Sequence, residues 1–151
     1  VFSDLHYGAQ LIQYFTAKGM YDVKTLEKSA EFEIFRKMNS EIKAYSPVFY
    51  GCKVKGVWHT GDVIPSHTER LRAMPHEKVV SLSLSGQGAV VSLIEKGDNE
   101  YLAVQNRDCV NEAVLEISFK GRVRRFTVDG LAGFDGSPLV LEPGNIAIFK
   151  L

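Results

Sequence analysis

The sequence has little cysteine and no excess of charge of either sign. Its 151 residues include two cysteines, one tryptophan, and eighteen acidic and eighteen basic residues. Cys52 and Cys109 are too few for a disulfide framework; they could pair if the fold brought their Cα atoms within about 7 Å, but two buried free thiols are favoured. Balanced charge gives no long-range attraction to nucleic acid or to an anionic membrane, so we expect neither as a partner.

The sequence also lacks a long apolar run. Its longest uncharged stretch, residues 79–94, is interrupted by four serines and two glycines, which predicts a hairpin and not a membrane span. The chain begins Val1-Phe2-Ser3-Asp4 without a methionine. This start indicates a piece of a longer protein, whose targeting signal would lie in the removed part.

Motifs that carry chemistry are missing as well. There is no glycine-rich phosphate loop, no CxxC pair, no HExxH and no GxSxG. His59 and His67, with Asp62 between them, lack the spacing of a recognised metal site, so loop or strand-edge histidines are favoured. The sequence therefore predicts no cofactor and no metal.

Acidic residues near hairpin ends allow two interpretations. Asp98, Glu100 and Asp108 could gather around a cation such as calcium. Aspartate is also favoured in turns on backbone grounds, and we prefer that reading. Glycosidase chemistry needs two carboxylates about 5 to 9.5 Å apart, and no pair in the sequence stands out.

A helical pattern extends from Lys24 to Tyr45. Apolar side chains recur there at steps of three and four, at Phe32, Phe35, Met38, Ile42 and Tyr45. Thr25 or Ser29 can cap the start, and we expect Pro47 to end the helix because proline has no N–H to donate.

Residues 8–17, GAQLIQYFTA, combine strand-forming residues with little charge, which is typical of a strand covered on both faces. Followed by a helix, this strand makes one strand–helix unit, which cannot cover both its faces by itself. We therefore expect residues 1–50 to be the tail end of a larger α/β domain, with a separate domain over residues 51–151.

After Pro47 the pattern is all-β. Short runs of strand-forming residues alternate with turn residues, over roughly 54–59, 79–85, 89–95, 100–106, 112–120, 122–128, 138–142 and 145–151. Seven or eight strands at this spacing predict an antiparallel β-sandwich. The predicted fold is thus mainly β: a sandwich preceded by a long amphipathic helix.

Exposed aromatic rings could stack on sugars, because a flat apolar ring suits the C–H face of a pyranose. Trp58 and Tyr101 are the leading candidates. For Trp58, next to the expected domain junction, packing between domains is favoured over ligand binding.

The order of several motifs resembles a known family. The segments are GxxxIxYFT, NSEIKAYSPVFYG, VKGVWHTG, EYLAVQNRD, VLEISF and LEPGNIAIFKL. In this order they resemble the C-terminal part of β-galactosidase-like glycoside hydrolases, especially the type found in gut Bacteroidetes. The resemblance covers nearly the whole chain.

The resemblance implies a (β/α)8 catalytic barrel followed by a β-sandwich. Residues 8–17 would match the eighth barrel strand, residues 31–45 the eighth helix, and residues 53–151 the sandwich. The family's catalytic acid and nucleophile lie on earlier strands, upstream of this chain. Tyr14, Phe15 and Thr16 would line the sugar pocket of the parent enzyme. A periplasmic or extracellular location is implied too.

Three functions follow as hypotheses. The first is a non-catalytic domain of a glycoside hydrolase that packs against the catalytic barrel of the parent chain and stabilises it. The second is a carbohydrate-binding module, which requires an exposed aromatic platform. The third is a structural or protein-interaction domain of an unrelated protein, which predicts no barrel pattern upstream.

Overall fold

A computed structural model describes residues 2–15 and 19–151 of the chain. Two helices are formed, α1 (Phe2–His6) and α2 (Ala30–Phe49). The strands that follow are β1 (Lys53–His59), β2 (Val79–Leu84), β3 (Ala89–Lys96), β4 (Asn99–Asn106), β5 (Ala113–Phe119), β6 (Arg124–Thr127), β7 (Gly130–Gly133), β8 (Leu139–Leu141) and β9 (Ile146–Lys150).

The strands form two antiparallel sheets. One has six strands in the order β1-β3-β4-β9-β6-β7, and the other has three in the order β2-β5-β8. The predicted mainly β, antiparallel fold is confirmed. The prediction missed β7, because its glycine-rich sequence GLAG was interpreted as part of a turn.

The first core lies between the two sheets. In β5, Ala113, Leu115 and Ile117 are buried while Val114 and Glu116 are exposed, which is the alternation of a strand with one buried face. The large sheet contributes the facing side chains, among them Val91, Leu102 and Phe149. The two sheets therefore pack face to face.

The second core covers the other face of the six-stranded sheet. Both helices pack there, with Leu5 from α1 and Val48 and Phe49 from α2 meeting Ile94 and Ile148 of the sheet. The central strands are consequently buried on both faces, which explains why β3 and β4 read as almost continuous apolar runs. Helix α1 and the end of α2 thus share a core with the strands that follow.

Helix α2 starts later than its periodicity predicts. Residues 22–25 form a turn, in which the Asp22 carboxylate accepts hydrogen bonds from the backbone N–H groups of Lys24 and Thr25. Such local bonding competes with a helix. Ser29 is the N-cap, and its hydroxyl accepts from the N–H of Phe32.

The prediction that Pro47 ends the helix is wrong, since α2 continues to Phe49. Proline cannot donate to the carbonyl of Lys43, but the Ser46 hydroxyl donates to that oxygen at 2.8 Å. Val48 and Phe49 are buried beyond the proline, at 0% and 3% exposure, and their burial favours the extra turn. The chain leaves the helix at Gly51, whose φ is +65°.

The predicted strand over residues 8–17 is not formed where the structure describes it. Residues 9–14 have no regular secondary structure, and no strand pairs with them. A strand needs the edge of another strand for its hydrogen bonds, and this segment is bonded instead to the end of α2, through Gln10 to Phe49 and Gly51. Residues 16 and 17 lie outside the described part.

The two cysteines are free, as predicted. Cys52 is half-buried, whereas Cys109 is exposed, contrary to the expectation of two buried thiols. Neither α1 nor α2 combines the length and apolar character needed to cross a bilayer.

Candidate functional site

Exposed apolar side chains concentrate near the start of the chain. Seven of the sixteen large apolar side chains exposed in residues 2–15 and 19–151 belong to residues 7–34: Tyr7, Leu11, Phe15, Tyr21, Val23, Leu26 and Ile34. We call these seven side chains, which are grouped by their position in the sequence, the bare face. Single exposed apolar residues are ordinary, so the feature of interest is their concentration in this part of the chain.

Residues 11–15 alternate in burial as a strand would. Leu11 and Phe15 are 81% and 100% exposed, whereas Ile12 and Tyr14 are partly buried on the side of α2. The Tyr14 ring meets Phe35 edge-on at 4.9 Å, and its hydroxyl donates to Asn39 Oδ1 at 2.8 Å. The segment therefore has one covered side and one bare side.

Of the predicted pocket-lining residues, Tyr14 faces α2 and Phe15 faces solvent. Thr16 lies outside the described residues. The segment is fixed next to the end of α2 by Gln10, whose amide donates to the carbonyl of Phe49 and accepts from the N–H of Gly51.

A cavity of about 220 Å³ lies between this segment and α2. Ile12, Ile42 and Phe49 supply apolar walls, and Asn39 and Ser46 supply polar atoms. It is an incompletely filled contact, because no further element covers the segment from outside.

The first turn of α2 is stabilised by residues close to it in sequence. Tyr21 packs on Phe32 with ring centroids 5.2 Å apart, and the Lys28 ammonium lies 4.4 Å from the centre of the Phe32 ring. The buried residues of this helix are Tyr45, Val48 and Phe49, all near its end. The first half of α2 therefore contributes no fully buried side chain.

Helix α1 is held to the sheet by three side-chain hydrogen bonds, which we call the α1 anchor. The Ser3 hydroxyl donates to Gln105 Oε1 at 3.1 Å, and His6 Nδ1 lies 2.8 Å from Ser92 Oγ. The third bond joins the Tyr7 hydroxyl to His59 Nε2 at 2.8 Å. Sequence reasoning missed His6, because a single histidine in a short segment carries no pattern.

The His6–Ser92 contact has the composition of a base and a nucleophile. Both side chains are fully buried, at 0% exposure, in the core beneath α1 and α2. A nucleophile must be reached by its substrate. This pair is therefore a structural contact and not a catalytic one.

Burial keeps both histidines of the anchor neutral. It lowers the pKa of His6 to about 3, with a smaller contribution from His59. The pKa of His59 is lowered by burial and then by the nearby Arg107 guanidinium. His6 Nε2 and His59 Nδ1 are buried without a hydrogen-bond partner.

A polar junction at Asn106, Arg107 and Asp108 ties together three loops. The buried Asn106 amide donates to the carbonyls of residues 111, 141 and 142. Arg107 donates to the carbonyls of residues 60 and 63, while the Asp108 carboxylate accepts from the N–H groups of residues 110 and 111. Sequence reasoning interpreted Asp108 as an ordinary turn residue and did not identify this junction.

The two predicted stacking residues differ in position. Tyr101 is buried at 7% exposure in the core under the helices, so its ring is not presented to a ligand. Trp58 is half-buried, and its ring lies over Gly56 of the same strand: a Cβ at Gly56 would come within 2.4 Å of Trp58 Cη2. Trp58 thus covers β1, an edge strand of the six-stranded sheet.

The proposed cation ligands are used by other contacts. Asp108 accepts hydrogen bonds within its own turn, and Glu100 Oε2 lies 3.1 Å from His76 Nε2. His59 bonds Tyr7, while His67 is exposed. Residues 2–15 and 19–151 hold no group of three or more His, Cys, Asp or Glu arranged to bind a metal.

One pair of carboxylates has opposite pKa shifts. Burial raises the pKa of Glu41, whereas the Lys37 ammonium, bonded to Glu142 at 2.9 Å, lowers the pKa of Glu142. Both acids line a shallow groove of about 440 Å³. Such a split is a feature of acid–base pairs, but the side chains of Lys37 and Glu142 are both 61% exposed, as in an ordinary surface ion pair.

Comparisons of the chain with protein-family models, with curated proteins and with solved structures find no match.

Proposed function

We propose that this chain is a non-catalytic C-terminal β-sandwich domain of a β-galactosidase-like glycoside hydrolase. It packs against the catalytic (β/α)8 barrel through the bare face and stabilises it. The observation that carries the proposal is residues 11–15, which have the composition and alternation of a strand but no strand beside them.

The bare face supports docking on a large folded body. Burying a fully exposed large apolar side chain contributes about 1.5 to 3 kcal/mol. Leu11, Phe15, Val23 and Leu26 offer most of this area, at 81%, 100%, 83% and 74% exposure. Leu11, Phe15 and Ile34 lie in the segments, residues 8–17 and 31–45, that resemble the last strand and helix of a barrel. Their exposure supports docking on such a barrel.

Helix α2 fits this arrangement. Its last turns anchor on the six-stranded sheet through Val48 and Phe49, while its first turns leave Ile34 66% exposed. A helix that is half covered by the β domain is suited to bridge that domain and a neighbouring layer.

The non-catalytic part of the proposal rests on the carboxylates. Glu41 is half-buried, whereas Glu142 is exposed and paired with Lys37. The pair lies on a shallow groove and not in the enclosed pocket that is typical of an active site. We therefore expect the purified chain to show no turnover of aryl β-glycosides.

Docking can be tested by producing the preceding part of the parent reading frame and this chain as two polypeptides and measuring their association. Binding should be lost in Leu11→Ser combined with Phe15→Ser. Val110→Ser combined with Val63→Ser is the matched control, since Val110 and Val63 are 80% and 79% exposed elsewhere. The proposal would be contradicted if both variants kept their binding, or if both lost it to the same extent.

Hydrolysis by the chain alone is the sharpest rival, because Glu41 and Glu142 have opposite pKa shifts. Turnover of an aryl glycoside that disappears in Glu41→Gln or Glu142→Gln would show a catalytic domain. Exposed Glu112→Gln serves as the control.

A further inference from the structure

The α1 anchor contains two histidines that cannot accept a second proton where they lie. If His6 Nδ1 carries its proton and donates to Ser92, Nε2 is a bare acceptor in an apolar core. An unpaired buried acceptor is tolerable, whereas protonation would add an N–H with no partner and a positive charge. The folded position of His6 therefore requires the neutral ring.

His59 is under the same constraint. Its Nε2 bonds the Tyr7 hydroxyl, and its Nδ1 is buried without a partner. Protonation would bring a second positive charge close to the Arg107 guanidinium. Each histidine also makes the other's charge less favourable, because the His59 imidazole lies near His6.

Among residues 2–15 and 19–151 the buried carboxylate is that of Asp108, next to Arg107, and it accepts hydrogen bonds from the N–H groups of Val110 and Asn111 and not from a histidine. Around His6 the titratable groups of the core are Tyr101 on β4, Tyr45 on α2 and Cys52 after it. Burial raises the pKa of both Tyr45 and Cys52, so these two groups stay uncharged near neutral pH. Asp4 is exposed on α1. The cationic side chain of Arg107 lies near His59 and disfavours its protonation.

We propose that α1 is an acid-released latch: protonation of His6 and His59 detaches α1 and residues 7–15 from the six-stranded sheet while both sheets stay folded. The release is local because α1 has five residues and depends on its anchor, whereas β3 and β4 are held by a continuous ladder of paired residues. The latch does not depend on the proposed function.

The sign of the effect follows from the lowered pKa values. A histidine whose pKa is lower in the latched state than in the released state binds a proton more readily when released. The latched state is therefore most stable at pH values above the free pKa of about 6.5, and it loses stability as the pH falls below 6.5. With a latched pKa of about 3 for His6, the opening constant of α1 should rise about 25-fold between pH 7 and pH 5. His59 adds to that factor.

Amide hydrogen exchange in the 151-residue chain tests the latch. Protection factors of α1 and residues 7–10 should fall at least about 25-fold between pH 7 and pH 5, while those of β3 and β4 should stay unchanged. Protection of α1 that does not change with pH, or that is lost together with the strands, would overturn the proposal.

The variant His6→Asn tests whether protonation of His6, and not its packing, causes the release. Asparagine can keep a hydrogen bond near the Nδ1 position but cannot be protonated. The ratio of the α1 protection factor at pH 7 to that at pH 5 should therefore be about 25-fold smaller in this variant than in the original chain. His67→Asn, an exposed histidine whose positive φ asparagine tolerates, should keep the full ratio.

Ser92→Ala is the second variant, in case His6→Asn already detaches α1 at pH 7. It removes the partner of His6 and leaves the titrating ring, so α1 should open more at pH 7 and still respond to acid. A full pH response in His6→Asn, or none in Ser92→Ala, would contradict the latch.

Discussion

Two leucines illustrate how differently the two regions of this molecule use the same residue. Leu102, in β4, is completely buried between the sheets, whereas Leu11, before α2, is 81% exposed. In the two sheets, which we call the β body, the central strands are covered by the three-stranded sheet on one face and by α1 and α2 on the other, whereas seven of the described residues between 7 and 34 expose large apolar side chains to solvent. Apolar composition thus identifies segments whose side chains tend to be buried, but only the fold shows which of these side chains remain exposed.

The largest effect should come from truncating a side chain in the β body. Leu102→Ala removes three carbon atoms from a core without free space, which should lower the free energy of unfolding by about 3 to 5 kcal/mol. Leu11→Ala, the same change on the bare face, should alter it by less than about 0.5 kcal/mol. Urea unfolding measures both, and equal losses would mean that residues 7–15 are packed as firmly as the sheets.

Asn106→Ala should follow in size. It leaves three carbonyl groups and the N–H of Asp108 without their partner in a buried loop junction, at a cost of about 2 to 3 kcal/mol. Asn39→Ala, which loses one exposed bond from Tyr14, should cost less than about 0.5 kcal/mol. Thermal unfolding of both variants checks the difference, and a small loss for Asn106→Ala would refute the structural role of the junction.

The smallest effect concerns the proline inside α2. Ser46→Ala removes the hydroxyl that bonds the carbonyl of Lys43 and should cost about 0.5 to 1 kcal/mol. In a Pro47→Ala background, the N–H of residue 47 can donate to the carbonyl of Lys43. Ser46→Ala should then leave the free energy of unfolding unchanged. Ser40→Ala, on the exposed side of α2, is the control. Equal costs of Ser46→Ala in both backgrounds would show that the serine does not compensate for the proline.

Several strands of the β body were predictable because they have a clear burial pattern. Ala113, Leu115 and Ile117 alternate with exposed residues, and β9 places Ile148 under the helices and Phe149 between the sheets. Strand β7 was missed, since a glycine-rich hairpin has too few side chains to show a period.

The helix ends could not be read from propensity alone. Periodicity suggested a start at Lys24, but the Asp22 turn holds the preceding backbone. Pro47 suggested an end, but a neighbouring serine and two buried side chains carry the helix past it. In both cases a specific contact outweighed the general tendency of the residue.

The candidate sites were the least predictable part. Exposure of residues 11–15 depends on which neighbours are present, and that information is not local to the segment. The α1 anchor joins positions as far apart as His6 and Ser92, so no spacing in the sequence marks it.

Hydrogen exchange of residues 11–15 tests the central proposal of a docking strand most directly, by comparing the isolated chain with the parent protein that contains it. The proposal predicts exchange at nearly the rate of an unfolded peptide in the isolated chain and protection similar to that of β4 in the parent. Equally fast exchange in both, or a parent reading frame without the alternating strands and helices of a barrel, would contradict it.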